Sequence, residues 1–261
     1  MSLGDVFADP EVARAYRQRP PYPDETFAIL EKLLVEPRAV LDVGTGNGAL
    51  ARRIVRFAER VDAVDPSVAM IDEGRRLPGG SDPRLRWIVG PAETAPLEPP
   101  YGLITAGSSL HWMDHDRVLP RFAAALAPAG RLAIVETDEG SHPIPELLPI
   151  LDGYSGSAHH GDLQATVAAV STCRHAVDAR LEATGRFIRE GEERTRPVSL
   201  RRSVDDYIEF LHSTSELARI RLGARADQFD LEVREVFARS GLSWIERQVV
   251  GIVVWGRVVA A

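Results

Sequence analysis

The sequence predicts an α/β protein with a doubly wound, Rossmann-like architecture. The expected core is a mainly parallel seven-stranded sheet, with a helical, lid-like insertion after the fifth strand. Three observations carry this. Between about residues 39 and 137, short apolar runs alternate with amphipathic stretches of helical period, the pattern of parallel strands joined by crossover helices. The first run, AVLDV, leads straight into a turn with glycine on alternate positions, Gly44, Gly46 and Gly48. An acid, Asp65, then closes the second run about 20 residues later, where a nucleotide-binding unit places one.

The elements follow in order. Ahead of the sheet, residues 8–36 read as two helices broken by RPPYP, because three prolines in four positions cannot continue a helix. Residues 39–43 form the first strand and NGALARRIVRFAER a helix. VDAVD (61–65) is the second strand, followed by a helix over SVAMIDEGRRL. RLRWIVG, YGLITAGSS and RLAIVET are the third, fourth and fifth strands, with a helix over DRVLPRFAAALA before the last. After Glu136 the pattern changes to SHPIPELLPILDGYSGSAHHG, rich in Pro, Gly, Ser and His, and then to a helical stretch from about Leu163 to Thr184. FIREGEERTRPVSL reads as a sixth strand, SVDDYIEFLHS as a helix, and SWIERQVVGIVVWGRVV as a long terminal strand or hairpin. The expected organisation is a helical cap (1–36), a ligand-binding core (37–140), the insertion (141–195) and a completion of the sheet (196–261). The terminal run is apolar enough to lie inside the sheet or to pair with a second chain at its edge, so both monomer and homodimer stay open.

Bulk properties bound the function. A chain of 261 residues with 44% hydrophobic residues can bury one substantial core. A formal net charge of −7 supplies no field for phosphate backbones or anionic membranes, so nucleic acid and membrane are not expected partners. The one cysteine, Cys173, excludes an intrachain disulfide and a cysteine-based zinc cluster. The start, MSLGDVFADPEV, lacks the apolar core of a signal peptide, and no run approaches the roughly 18 apolar residues of a membrane span. A soluble, cytoplasmic protein is the expectation.

The glycine turn narrows the ligand. Ligands of open α/β sheets bind beyond the carboxyl ends of strands, and glycine lets backbone approach where any Cβ would intrude. A carboxylate at Asp65 suits the two hydroxyls of an unphosphorylated ribose. The dinucleotide fingerprint is G-x-G-x-x-G, whereas this turn is G-x-G-x-G. Asp42, just before the turn, would repel a diphosphate and attract a cation. A ribose beside a positive charge describes S-adenosylmethionine, with its sulfonium and α-ammonium.

VLDVGTGNG, VDAVDPS and GPAETAPL, in that order, resemble the class I S-adenosylmethionine-dependent methyltransferases. SSLHWMD and the early YRQRPPYP are similar to relatives of trans-aconitate methyltransferase, over roughly residues 10–140. The resemblance implies a Rossmann-like methyltransferase fold and S-adenosyl-L-methionine as cofactor. It implies that Gly44, Gly46 and Gly48 line the methionine part, with Asp42 near the ammonium and Asp65 on the ribose. Pro66 and Met70 would flank the adenine, although helix packing accounts for Met70 equally well. Ala92 and Glu93 match the adenine-edge segment, where relatives carry an aspartate and this chain has Pro91. Ser108, Ser109, His111 and Trp112 fall where relatives bring cofactor against substrate. Tyr16 and Arg19 match a pattern that closes over the cofactor, and Arg19 would pair with its carboxylate; a helix cap or surface salt bridge accounts for Arg19 alone equally well. Tyr154, His159 with His160, and Tyr207 with Phe210 and Ser213 are candidate substrate contacts, against solvated surface for the histidines and packing for the aromatics.

Methyl transfer from a sulfonium is an in-line displacement in which the protein supplies alignment and desolvation. A carboxylate acceptor needs no general base, while an alcohol, phenol or ammonium does. His111 is the catalytic candidate if a base is used, and the sequence offers no second, which leans toward a carboxylic acid or another acidic acceptor. HWMDHD can also be scored as a metal cluster through His111 and His115, but the stretch follows a strand end rather than lying on a helix, so no metal is expected. A nicotinamide-dependent oxidoreductase and a cofactor-binding relative without catalysis are the competing readings. Methylation of protein or RNA fits less well with the acidic balance.

Overall fold

The structure is a computed structural model and describes residues 4–140, 144–155 and 181–259. The described chain divides into two units: a sheet unit, formed by Pro21–Asp138, residues 181–197 and the chain from Val250, and a helical unit, formed by the chain up to Pro20, by residues 139–155 and by Val198–Val249.

In the sheet unit the apolar runs become strands β1 (Ala39–Val43), β2 (Arg60–Asp65), β3 (Leu85–Val89), β4 (Tyr101–Gly107) and β5 (Leu126–Asp138). These pair in parallel, while β8 (Trp244–Val258) runs antiparallel to β5, and β6 (Phe187–Arg194) antiparallel to β8. The order is β3-β2-β1-β4-β5-β8-β6. All five residues of β1 are buried, which explains a continuous apolar run rather than an alternating one. The alternation shows instead in which face each residue serves. Leu41, Val43 and Ile104 pack with Phe122 on one side. Val40 and Leu103 pack with Ile54 and Leu30 on the other. Leu30 belongs to α2 (Asp24–Leu33), whose acids Asp24 and Glu25 occupy the first turn, where the helix dipole favours negative charge.

Four expectations are corrected here. The predicted seven strands are eight, because FIREGEERTRPVSL is two strands: Pro197 has no N–H to donate, and the chain restarts as β7 (Val198–Ser203), antiparallel to the first half of β8. The insertion therefore does not reach residue 195, since β6 pairs along β8 within the sheet. The segment 1–36 is not one cap: it divides inside RPPYP, and α2 packs into the sheet core through Phe27, Ile29 and Leu30. The helix after β1 is also shorter than its amphipathic pattern, with α3 confined to Ala51–Ile54. Gly48 holds a left-handed φ of 74°, which delays its start.

The helical unit holds α1 (Pro10–Ala15), α6 (Leu148–Ser155), α7 (Val204–His212), α8 (Arg219–Leu222) and α9 (Ala226–Ser240). The last four of these enclose a separate core that includes Tyr207, Ile208, Phe229, Val233 and Phe237. No described helix is long and apolar enough to cross a membrane.

Candidate active site

The strand order reverses between β1 and β4, and this is where an open sheet leaves a crevice at its carboxyl edge. The glycine turn lies there. Gly44, Gly46 and Gly48 have φ of 61°, 57° and 74°, a region that costs any other residue strain. A Cβ on Gly44 would stand 2.5 Å from that of Ser109, and one on Gly48 would stand 2.4 Å from the Trp87 ring. The turn is pinned to β2 twice: the Thr45 amide donates to the Val64 carbonyl (3.0 Å) and the Gly46 amide to Asp65 Oδ2 (2.8 Å).

Two buried carboxylates flank this turn. Asp42 accepts from the Thr105 hydroxyl through Oδ1 (2.6 Å) and from the Thr45 hydroxyl through Oδ2 (2.5 Å). Burial pushes its pKa up to about 6 against the pull of those hydroxyls, and the negative charge of Asp65 adds to the rise. Asp65 is also raised by burial, opposed by the amides of Ser67 and Gly46. Its Oδ1 accepts from Ser67 (2.8 Å), so Asp65 shapes the turn as well as presenting a carboxylate. Each oxygen keeps a second acceptor site.

Around these acids, Ala92 is buried and Glu93 accepts from the Asp114 amide (2.9 Å). Glu93 thereby ties the loop after β3 to the start of α5 (His115–Ala125), which Asp114 caps. Pro66 is exposed, whereas Met70 is 2% exposed in α4 (Val68–Arg76), the position of a packing residue. At the end of β4, Ser109 donates to the Val43 carbonyl (2.7 Å). Ser108 adopts a left-handed φ of 47° and donates to the carboxylate of Glu136 on β5. The His111 and Trp112 rings lie 4.7 Å apart, and Trp112 is 46% exposed. His115 Nε2 lies 3.0 Å from the Leu110 carbonyl. Among the described residues no group of three His, Cys, Asp or Glu side chains is placed to hold a metal. Glu136 is the acid that sequence reasoning missed. Its signal was present, for it closes an apolar strand run as Asp65 does.

The remaining candidates belong to the helical unit. The Arg19 guanidinium donates to the Ser213 carbonyl (2.9 Å) and lies 5.1 Å from the Tyr16 ring centroid and 5.9 Å from that of Phe210. Tyr154 donates to Glu232 (3.0 Å) and packs edge-on against Phe229. Tyr207 is 1% exposed between Phe210 and Phe237, and burial raises the pKa of its phenol. It is a packing residue rather than the substrate contact the sequence suggests, since an aromatic at a core position of α7 gains most by burial. His159 and His160 lie outside the described residues, as does Cys173.

Residues 40–130 match the family model of a methyltransferase domain. This segment is similar to a methyltransferase domain. It spans every sheet-unit candidate from Asp42 to Trp112 and ends before Glu136. An uncharacterized methyltransferase of Mycobacterium tuberculosis is 37% identical over 120 residues, 46% of this chain and 47% of the relative. Trans-aconitate 2-methyltransferase of Variovorax paradoxus is 34% identical over 137 residues, 49% of this chain and 51% of that one. The chain spans about half the length of the curated relatives it matches. A solved structure from Anaeromyxobacter dehalogenans, provisionally described as a type II methyltransferase, superposes with a TM-score of 0.63 at 24% identity, covering 93% of this chain and 99% of that one. The architecture around the matched segment is thus a Rossmann-like fold shared with that structure.

Proposed function

We propose that the chain is an S-adenosylmethionine-dependent methyltransferase acting on a small-molecule acceptor. The observation that carries this is the pairing of the left-handed glycine turn with two buried carboxylates, Asp42 and Asp65. Uncompensated negative charge in a buried site is costly, and a cationic ligand relieves that cost. A diphosphate would raise it, so the same geometry argues against a nicotinamide dinucleotide. Gly44 and Gly46 offer backbone close to the ligand, Asp42 faces its ammonium through the field of the turn, and Asp65 takes the ribose hydroxyls. Ala92 and Glu93 border the adenine, with Pro66 exposed beside Asp65. The bound cofactor supplies an electrophilic methyl group. The protein's share is alignment, with the exposed Trp112 face and His111 beside the acceptor. The trans-aconitate relatives support a small-molecule acceptor, either a carboxylic acid or another acidic hydroxyl compound.

The test is calorimetric titration of S-adenosylhomocysteine into the wild type and into Asp65→Asn, with NAD as the control. Asparagine keeps an acceptor for the turn but loses the charge. Charge-assisted hydrogen bonds contribute about 1.5–3 kcal/mol each, so the variant should bind roughly 10- to 100-fold more weakly. Wild-type binding of NAD in preference to S-adenosylhomocysteine would reverse the assignment.

A further inference from the structure

The connection from β3 to β4, residues 90–100, passes β2 and β1 without a helix, where a parallel crossover ordinarily has one. Pro91, Pro96, Pro99 and Pro100 bring no N–H to it, so other elements hold its two ends. At the crevice end, the Gly90 amide donates to the Asp65 carbonyl (3.0 Å), and Glu93 takes the Asp114 amide. At the far end, about 10 Å back along β2, another buried acid is the hub. Asp62 is 0% exposed and accepts from Arg86 on β3 through both oxygens (2.9 and 2.8 Å), a geometry that suits the guanidinium fork. Its Oδ2 also accepts from the Tyr101 hydroxyl at the start of β4 (2.5 Å), and that hydroxyl accepts from the Glu98 amide (2.9 Å). Burial and the bond to Asp62 push the Tyr101 phenol up, so it stays a donor. Arg86 and Arg60 bond Glu98 as well, at its carboxylate and its carbonyl. Side chains of β2, β3 and β4 thus converge on one crossover residue.

Between these ends, Ala92 and Ala95 belong to the sheet core, and the amides of Ala92 and Glu93 make no hydrogen bond among the described residues. What this stretch offers a ligand is main-chain donors, and the path of the crossover decides where they stand. We propose that Asp62, acting through Tyr101 and Glu98, is a positioning residue for the base of the cofactor. It fixes the far end of the crossover, and so the place of the donors at Ala92 and Glu93. This rests on the methyltransferase reading. A donor aimed at ring position 1 of adenine meets a lone pair. Hypoxanthine carries a hydrogen there, so donor would face donor and the wrong base is rejected. That selection survives only while the donors keep their place.

The experiment is calorimetry of S-adenosylhomocysteine and of its inosine analogue, which differs only in the base, on the wild type and on Tyr101→Phe. Phenylalanine keeps the ring in the core and removes the hydroxyl that links Asp62 to Glu98. The expected result is a wild-type preference for S-adenosylhomocysteine that falls roughly 5- to 10-fold in Tyr101→Phe, the scale of one buried hydrogen bond, with affinity for the inosine analogue held within about twofold. Equal weakening of both ligands would overturn the proposal, since the hub would then serve the fold as a whole. A folded variant with its preference unchanged would overturn it too. Should Tyr101→Phe fail to fold, Glu98→Gln decides by the same readout, because its side chain is 58% exposed and the change leaves the buried hub intact. If the wild type binds neither ligand, the methyltransferase reading itself has failed, an outcome that no variant can mimic.

Discussion

At the scale of single residues, Asp42 makes the sharpest prediction. Its folded pKa of about 6 lies above its ordinary value of 3.8, so the folded state holds this proton more tightly than the unfolded chain does. The resulting penalty is absent below about pH 4, grows as pH rises toward 6, and reaches about 3 kcal/mol above that. Asp42→Asn removes a charge but can still pair with Thr45 and Thr105. Urea unfolding at pH 8 should therefore find Asp42→Asn at least as stable as the wild type, an advantage that disappears at pH 4. Ligand binding should move oppositely. Affinity for S-adenosylhomocysteine, whose ammonium favours the ionised acid, should fall as pH drops below 6 in the wild type and be weaker, with a smaller fall, in Asp42→Asn. Asp42, Asp65 and the glycines were legible because their chemistry is local: an acid closing a strand, a turn needing positive φ. What Asp65, Glu93 and Glu136 bond to was not, because their partners stand 19, 21 and 28 residues away, and only the crossovers bring these pairs together.

At the scale of elements, the glycine turn and helix α9 supply a matched pair. Gly48 and Gly241 both hold left-handed φ, 74° and 69°. A Cβ on Gly48 meets the Trp87 ring, whereas one on Gly241, at the C-cap of α9, meets nothing within 4 Å. Alanine at Gly241 should cost about 1–2 kcal/mol, the conformational part alone. Alanine at Gly48 should cost about 2–5 kcal/mol, because overpacking adds about 1–3. Denaturant midpoints of the two variants check this, and equal losses would mean that the Trp87 ring moves aside freely. The parallel strands were readable from the sequence because burial on both faces leaves unbroken apolar runs. β6 and β7 were less so. β6 is mostly exposed, and its sequence of charged residues carries no core signal; only its pairing with β8 makes it a strand. Pro197 was the mark that separates the two, and reading it as part of one strand produced the count of seven.

At the scale of the whole molecule, the chain holds two kinds of core, and a ligand stabilises only what it binds. The sheet core is built from β1, β2 and β4, whose ends present Asp42, Asp65, Ser108 and Ser109, while Tyr207, Phe229 and Phe237 build the helical unit's core. Hydrogen exchange read segment by segment separates them. S-adenosylhomocysteine at about 100 times its dissociation constant should contribute about 2.7 kcal/mol to whatever opens when it leaves, a roughly 100-fold slowing of the slowest amides. That slowing is expected on β1, β2 and β4. The amides of α7 and α9, whose packing is internal to their own unit, should exchange as before. Slowing of the same size in α9 would mean that the helical core opens together with the sheet, and the ligand's stabilisation would then be a property of the full chain rather than of the sheet unit.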